Sequence, residues 1–392
     1  MRDRHGGFGR YGLELLRALQ ALPAGELPGV DLWVLFRSDR RPRPAAALDP
    51  AGLLRQPLIS PARHRWQRRL LVPALLRASR IALFHALHPG SLPLPGGPSV
   101  VATAHDIVPA VLPEPGRGRA LRALDWLEQG LRHRRPRHLV AISEATRRDL
   151  CRIYRIPASR ISVVPHGVNP ATFALAPRDE AEGELRMLET RHGLSGRWFL
   201  SVGSDHYRKN QPLLVEAWIR VAGRVDAGLV VVGRPLYGGV LPRLERDVRA
   251  AGLDGRFHWL RDATDAEIPA LYRNATAVVA PSRYEGFGMT ILEAMSCGAP
   301  VLASRGGAHE EVGADAALYF DPDGRQELEH LLVRIGEDAG LRREMRARGL
   351  ARAASFTWSA SALAIAEVYR RILAPDPRAQ RGSSSTADIS IS

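Results

Sequence analysis

PSRYEGFGMTILEAMSCGAPVLAS, residues 281–304, is the stretch that decides how this chain folds. The apolar run ATAVVAPS (275–282) leads into it as a strand, Glu285-Gly286-Phe287-Gly288 form a loop, and a helix begins near Met289 and ends before Gly298. PVLAS (300–304) reads as the next strand, so the whole is one strand-loop-helix-strand unit of a parallel α/β sheet. Open sheets of this kind bind ligands beyond the carboxyl ends of their strands, where this loop lies. Gly286 and Gly288 let a ligand approach the backbone closely. The amides of Gly288, Met289 and Thr290 offer the positive end of the helix dipole to a diphosphate. Glu285 and Glu293 stand eight positions apart; at helical rise that is about 12 Å, the reach from the sugar to the ribose of a nucleotide-sugar. The first carboxylate suits a sugar hydroxyl and the second suits both ribose hydroxyls. Singly, Glu293 also fits an exposed helix residue and Glu285 a loop charge; the glycines and the strand-loop-helix setting together select the binding role.

The same alternation of apolar runs and amphipathic stretches extends in both directions. In the second half, strands read at RWFLSVG (197–203), GLVVVG (228–233), FHWL (257–260) and ALYFDP (317–322), with helices in the gaps. In the first half they read at VDLWVLF (30–36), IALFHAL (81–87), SVVATAHD (99–106), HLVAIS (138–143) and ISVVPHG (161–167), with helices at 8–22, 63–79, 117–134 and 144–154. The expected fold is therefore α/β, two doubly wound Rossmann-like domains facing across a cleft: 1–172 and 173–355, joined through a polar linker at 176–196 that contains a short helix. A last helix over 356–374 and a polar, disordered tail over 375–392 complete the chain.

Composition narrows the class of function. A chain of 392 residues with 45% hydrophobic content is globular and exceeds one ordinary core. Two cysteines, Cys151 and Cys297, are too far apart in sequence for a disulfide framework or metal cluster, which fits a reducing cytoplasm. No run approaches the length needed to span a bilayer, and the first residues are wrong for a signal peptide. The net charge of +14 is uneven: residues 1–172 hold 27 arginines against 12 acidic residues, the remainder 28 basic against 29 acidic. An anionic partner for the first domain follows, and sparse aromatics without a nucleic-acid motif favour a membrane surface over nucleic acid. RHRWQRRLLVPALLRASR (63–80), with Leu70, Leu71, Leu75 and Leu76, fits a membrane-surface helix and an ordinary surface helix equally; RHRRPRH (132–138) adds charge to the same domain.

Other segments carry chemistry. In SVGSDHYRKN (201–210) a strand delivers Gly203 to a polar loop, and Arg208 and Lys209 precede a helix; Lys209 is the only lysine among 55 basic residues. Two cations at a strand end suit a diphosphate leaving group, although adjacent basic residues are often simply solvated. His105 sits at the carboxyl end of SVVATA with Asp106 after it, a placement that favours function. Ser143 and Glu144 read as a helix cap, His166 in VVPHGVN is given no chemical role, and DPD (321–323) reads as a turn and not a metal site. In HGGFGRYGLELLRAL (5–19), Gly7, Gly9 and Gly12 spell a dinucleotide fingerprint, yet only five residues precede Gly6, too few for the strand such a turn requires.

Glu285 and Glu293 in their E-x7-E spacing, together with Arg208-Lys209-Asn210, resemble the retaining nucleotide-sugar glycosyltransferases of family 4. These have the two-domain GT-B fold, and the chain is most similar to the bacterial mannosyltransferase-type members. The resemblance runs from about Gly6 to Leu373, with HDIVP (105–109), AISEATRRDL (141–150) and VVPHGVN (163–169) as supporting marks. It implies that Glu285 faces the donor sugar, Glu293 binds the ribose, Arg208 and Lys209 hold the pyrophosphate, and His105 lies near the transferred sugar. It implies too that the C-terminal helix packs back on the first domain. Catalytic roles fall to Glu285, His105, Lys209 and Arg208. Donor binding falls to Gly6, Gly7, Gly203, Arg208, Lys209, Gly286, Phe287, Gly288, Met289, Thr290 and Glu293. Gly6 and Gly7 match a loop that in the family follows the first strand, so the dinucleotide fingerprint is a coincidence and that strand is missing; the expectation is that Met1 is not the native start.

The activity so implied is transfer of a hexose, mannose from GDP-mannose, with retention, to a glycan or lipid-linked acceptor in cell-surface polysaccharide synthesis. No metal and no separate cofactor is expected. The enzyme would be cytoplasmic, peripheral on the inner face of the membrane, and would not bind nucleic acid. A nucleotide-sugar epimerase of similar architecture would bind the same donor without an acceptor. A nicotinamide-dependent oxidoreductase and a catalytically silent binding subunit are the further rivals.

Overall fold

The structure is a computed structural model that describes residues 7–23, 25–26, 35–37, 58–60, 65–92, 97–116, 118–236 and 239–374. Strands β1 (Leu35–Arg37) and β2 (Leu58–Ser60) form a parallel pair. A second, four-stranded parallel sheet runs in chain order through β3 (Leu83–Ala86), β4 (Ser99–Ala104), β5 (His138–Ala141) and β6 (Ile161–Val163). The second half builds a six-stranded parallel sheet from β7 (Trp198–Val202), β8 (Gly228–Val232), β9 (Phe257–Leu260), β10 (Ala277–Ala280), β11 (Val301–Ser304) and β12 (Leu318–Phe320). Its order is β12-β11-β10-β7-β8-β9, so the order reverses between β7 and β10, where Ala277 pairs with Phe199 and Val278 with Leu200. That reversal opens a crevice at the carboxyl ends of both strands. Both sheets, with helices between the strands, fit the doubly wound architecture read from the sequence.

Covered on both faces, these strands are mostly apolar on both sides rather than alternating. Successive side chains point to opposite faces, so Phe199, Val231 and Val279 pack in one core of the second domain while Leu200, Val230 and Val278 pack in the other. The first sheet divides likewise: Val101 and Val140 on one face, Ala102, Leu139 and Ala141 on the other. The C-terminal helix Trp358–Leu373 puts Ala362, Ile365, Val368, Tyr369 and Ile372 into the first domain's core with Tyr11, Leu15 and Leu19. A buried polar chain fixes it there: the Tyr369 hydroxyl lies 2.7 Å from His85 Nδ1, and His85 Nε2 lies 2.8 Å from the Thr103 hydroxyl. The return of this helix to the first domain is thus as expected.

Two expectations change. The polar linker at 176–196 is mostly a helix, Arg178–His192, that belongs to the second domain: Leu188 and Leu194 are buried in its core and Glu184 is paired with Arg273. The helix Arg65–Ala78 turns Val72 and Leu76 inward and leaves Leu71 exposed, so its described part does not present a continuous apolar face to solvent; the side chain of Leu70 lies outside the described residues. As expected, Gly9 and Gly12 lie inside a helix, Gly7–Gln20, and make no dinucleotide turn. Gly12 serves packing instead, since a Cβ there would stand 2.7 Å from Leu87. The expectations for a missing strand before Gly6 and for the tail 375–392 fall outside the described residues.

Candidate active site

A cavity of about 450 Å³ opens where the two domains meet. Nine of the residues selected from the sequence line it: His105, Lys209, Glu285, Gly286, Phe287, Gly288, Met289, Thr290 and Glu293. Lys209 follows β7, Glu285 follows β10 and His309 follows β11, so the crevice predicted by strand order is where these side chains converge.

Glu285 is the centre of an ion cluster. Lys209 Nζ donates to its Oε1 at 2.7 Å, the Ser282 hydroxyl donates to the same oxygen at 2.7 Å, and the Arg208 guanidinium pairs with Oε2. Burial alone would push this carboxyl up, but Lys209 and then Arg208 hold it well below the ordinary carboxylate range, so it is ionised. Its backbone is gripped as firmly: the Ala308 amide donates to the Glu285 carbonyl at 3.0 Å, and a Cβ at Gly307 would sit 2.1 Å from that carbonyl. Gly203 does not line the cavity. It makes room for the lysine, since a Cβ there would lie 3.1 Å from Lys209 Cδ. Arg208 also lies behind the wall, reaching the site through Glu285.

The helix Met289–Ser296 begins at Gly288, whose φ of +110° lies in the region that favours glycine, and no side chain caps it. Its first amides face the cavity beside Lys209. Because the helix starts only at Met289, the eight-position helical rise assumed between the two glutamates does not apply; half of that interval is loop. Glu293 is nonetheless in the same cavity, 6% exposed, with the Tyr272 hydroxyl donating to Oε2 at 3.2 Å and Arg10 Nη1 donating to Oε1 at 3.1 Å. Burial pushes its carboxyl up to about 7, against the pull of Arg10 and Tyr272. Arg10 comes from the opening helix of the first domain, so that helix reaches the site through Arg10 and Tyr11. Gly7 begins that helix, and Gly6 is outside the described residues.

The first domain supplies an aromatic wall. Tyr11 stacks on His166 with centroids 4.7 Å apart and meets His105 edge-on at 4.8 Å; Phe287 and Trp358 flank His166 at 5.1 and 5.7 Å. His105 Nε2 donates to the Leu87 carbonyl at 2.8 Å, which makes Nδ1 the nitrogen carrying the lone pair; burial pulls its pKa down to about 4, so the ring is neutral. His166 is buried and neutral, and its Nε2 finds no protein hydrogen-bond partner, nor does the buried Gln211 Oε1 in the same cavity lining. Sequence reasoning gave His166 no role and passed over Gln211, His309 and Trp358. The signal available for His309 was its position just after a strand's carboxyl end.

Closure of the cleft is built from the same loop. The Gly286 carbonyl accepts from the Ser143 hydroxyl at 2.7 Å and the Thr146 hydroxyl at 3.2 Å, while a Cβ on Gly286 would fall 1.9 Å from the His105 carbonyl. Gly286 therefore lacks a side chain because the other domain occupies its place. Ser143 caps the helix Glu144–Tyr154 as expected, accepting the Thr146 amide at 3.0 Å. Glu311 of the second domain takes the amides of Glu144 and Ala145 at 2.8 and 3.1 Å, a carboxylate on the positive end of the helix. Tyr284 donates to Asp149 at 2.7 Å across the same boundary. At 321–323 the chain does turn, with the Asp323 amide on Asp321 Oδ1 at 2.8 Å and Asp323 paired with Arg283.

Residues 5–172 match the family model described as Glycosyltransferase Family 4, and residues 190–352 match Glycosyl transferases group 1. The O-antigen chain mannosyltransferase B of Escherichia coli is 30% identical over 376 residues, 90% of this chain and 92% of the relative. The D-inositol 3-phosphate glycosyltransferase of Kineococcus radiotolerans is 34% identical over 268 residues, 62% of this chain, and the match spans 59% of the relative's length. Among solved structures, sucrose-phosphate synthase of Thermosynechococcus elongatus superposes with a TM-score of 0.72 at 21% identity over 94% of each chain, a likeness of fold. Two parallel-sheet domains meeting at a polar crevice, matched along nearly their whole length by a glycosyltransferase, place this chain in the GT-B glycosyltransferases.

Proposed function

We propose that the enzyme transfers mannose from GDP-mannose, with retention of configuration and without a metal, to a glycan or lipid-linked acceptor in cell-surface polysaccharide synthesis. The observation that carries the reading is the ionised Glu285 held between Lys209, Arg208 and Ser282 beside an uncapped helix mouth. A diphosphate at the Gly288–Thr290 amides would share Lys209 with Glu285, and the two cations would neutralise the charge that grows on the departing phosphate. Glu293, in the same cavity, would accept the ribose hydroxyls once Arg10 yields its place. Glu285, His105, His166 Nε2 and Gln211 Oε1 suit sugar hydroxyls. The acceptor would attack from the face that the diphosphate leaves, and the Ser143–Gly286 and Tyr284–Asp149 contacts would keep water from competing. The name of the E. coli relative supports both mannose and polysaccharide synthesis. An epimerase finds no comparable support among these relatives.

The test is a panel of nucleotide-sugars screened for protection against thermal unfolding, followed by transfer assays with and without EDTA and assignment of the product anomer by NMR. Protection by GDP-mannose above the others, an α-linked product from the α-linked donor, and activity unchanged by EDTA are expected. An inverted product or a strict metal requirement would overturn the corresponding part of the reading.

A further inference from the structure

Between β4 and β5 the helix Arg119–Arg134 carries a row of leucines that nothing in the described structure covers. Leu121, Leu124, Leu127 and Leu131 are 50–60% exposed, and their spacing puts them on one stripe. The opposite side is the packed one: Gly130 and His133 are buried, and the His133 ring stacks on Tyr154 with centroids 5.6 Å apart. A helix whose core contacts are satisfied has no folding reason to show a second apolar face. Arginine dominates its surroundings. Residues 119–137 hold six arginines against two acidic residues, Asp125 and Glu128, and Glu128 is already paired with Arg132. Arg119, Arg122, Arg134, Arg135 and Arg137 are exposed.

We infer that this helix docks the enzyme on an anionic lipid bilayer, with the leucine stripe in the acyl boundary and the arginines at the headgroups. The sign of the charge favours lipid over a second copy, since two such faces brought together would oppose their arginines. Position gives the docking a purpose. Five residues before the helix, Glu114 Oε1 lies 3.1 Å from His206 Nε2, so the segment leading into the helix meets the second domain on the loop that leads to Lys209. Docked in this way, the cleft opens close to the surface where a lipid-linked acceptor resides, a role that rests on the proposed transfer reaction. The helix Arg65–Ala78, which the sequence made the first candidate for this role, turns Val72 and Leu76 into the protein.

The experiment is co-sedimentation of the full chain with vesicles of phosphatidylcholine, alone or mixed with phosphatidylglycerol, in parallel with the double variant Leu124→Ser, Leu131→Ser and the double variant Arg119→Gln, Arg122→Gln. All four positions changed are exposed, and thermal unfolding checks that each variant folds. The parent is expected to pellet with the mixed vesicles, losing this at high salt, and the leucine variant to bind at least about tenfold more weakly; the arginine variant should weaken binding to mixed vesicles only. Equal pelleting of parent and leucine variant would overturn the inference. So would a parent that ignores both vesicles but self-associates in sedimentation equilibrium and becomes monomeric in the leucine variant. The readout needs no sugar donor, so it fails or succeeds independently of the proposed activity.

Discussion

Glu293→Gln should make the donor-free protein more stable at alkaline pH while harming its function. Burial pushes the Glu293 carboxyl from 4.5 up to about 7. A folded pKa above the unfolded one means that the folded chain prefers the protonated acid. Below about 4.5 both states are protonated and the group costs nothing; above about 7 both are ionised and the whole difference is charged against the fold. At 1.36 kcal/mol per unit that is about 3 kcal/mol, an order of magnitude for a side chain 8% exposed whose partner Arg10 is 40% exposed. Glutamine mimics the neutral acid and can still accept from Arg10. Denaturation followed at pH 5 and pH 8.5 without donor should therefore give nearly matching parent and variant at the lower pH. At the higher pH the variant should lead by several degrees in Tm, since 1 kcal/mol corresponds to about 2–4 °C for a domain of this size. Other titrating groups are common to both proteins and cancel in the comparison. With a saturating nucleotide-sugar the order should narrow or reverse, because only the carboxylate accepts two ribose hydroxyls. A gap that is the same at both pH values would refute the claim that burial holds this acid up.

Two further perturbations separate roles within the cluster. Lys209→Ala should weaken GDP binding by roughly 10–100-fold and abolish transfer, whereas Glu285→Gln should leave GDP binding no weaker, because the cations lose a competitor, and still cut transfer by about 100-fold; titration calorimetry and initial rates decide, and loss of GDP binding in Glu285→Gln would contradict the assignment. Gly286→Ala forces a Cβ to 1.9 Å from the His105 carbonyl, so the domains must part; small-angle scattering should show a more open molecule and transfer should fall at least about tenfold, while unchanged scattering and rates would dismiss Gly286 as a closure residue.

The parallel strands of both sheets were legible because buried strands in such a fold are short apolar runs punctuated by turns, and β10, β11 and the helix from Met289 stand where the sequence puts them. The helix cap at Ser143 was legible for a local reason: its acceptor lies three residues away. What the sequence concealed depends on contacts between distant segments. Ser143 also bonds Gly286, and Arg10 also bonds Glu293, pairings separated by 143 and 283 positions. The hydrogen-bond partners of Lys209 and Glu285 could not be read either, because the two side chains become neighbours only when β7 and β10 pair. β2, three residues long, carries too little periodicity to be distinguished from a loop. His166 was given no role from the sequence; its significance lies in a ring nitrogen left without a protein partner in the cavity lining, which only coordinates reveal.

The account rests on where the two phosphoryl groups of the donor sit, and a crystal structure with an intact nucleotide-sugar analogue tests that most directly. Density for the diphosphate is predicted within hydrogen-bond reach of Lys209 and the amides at Gly288–Thr290, with the ribose at Glu293. A diphosphate bound outside the interdomain cavity, or a ribose turned away from Glu293, would contradict it.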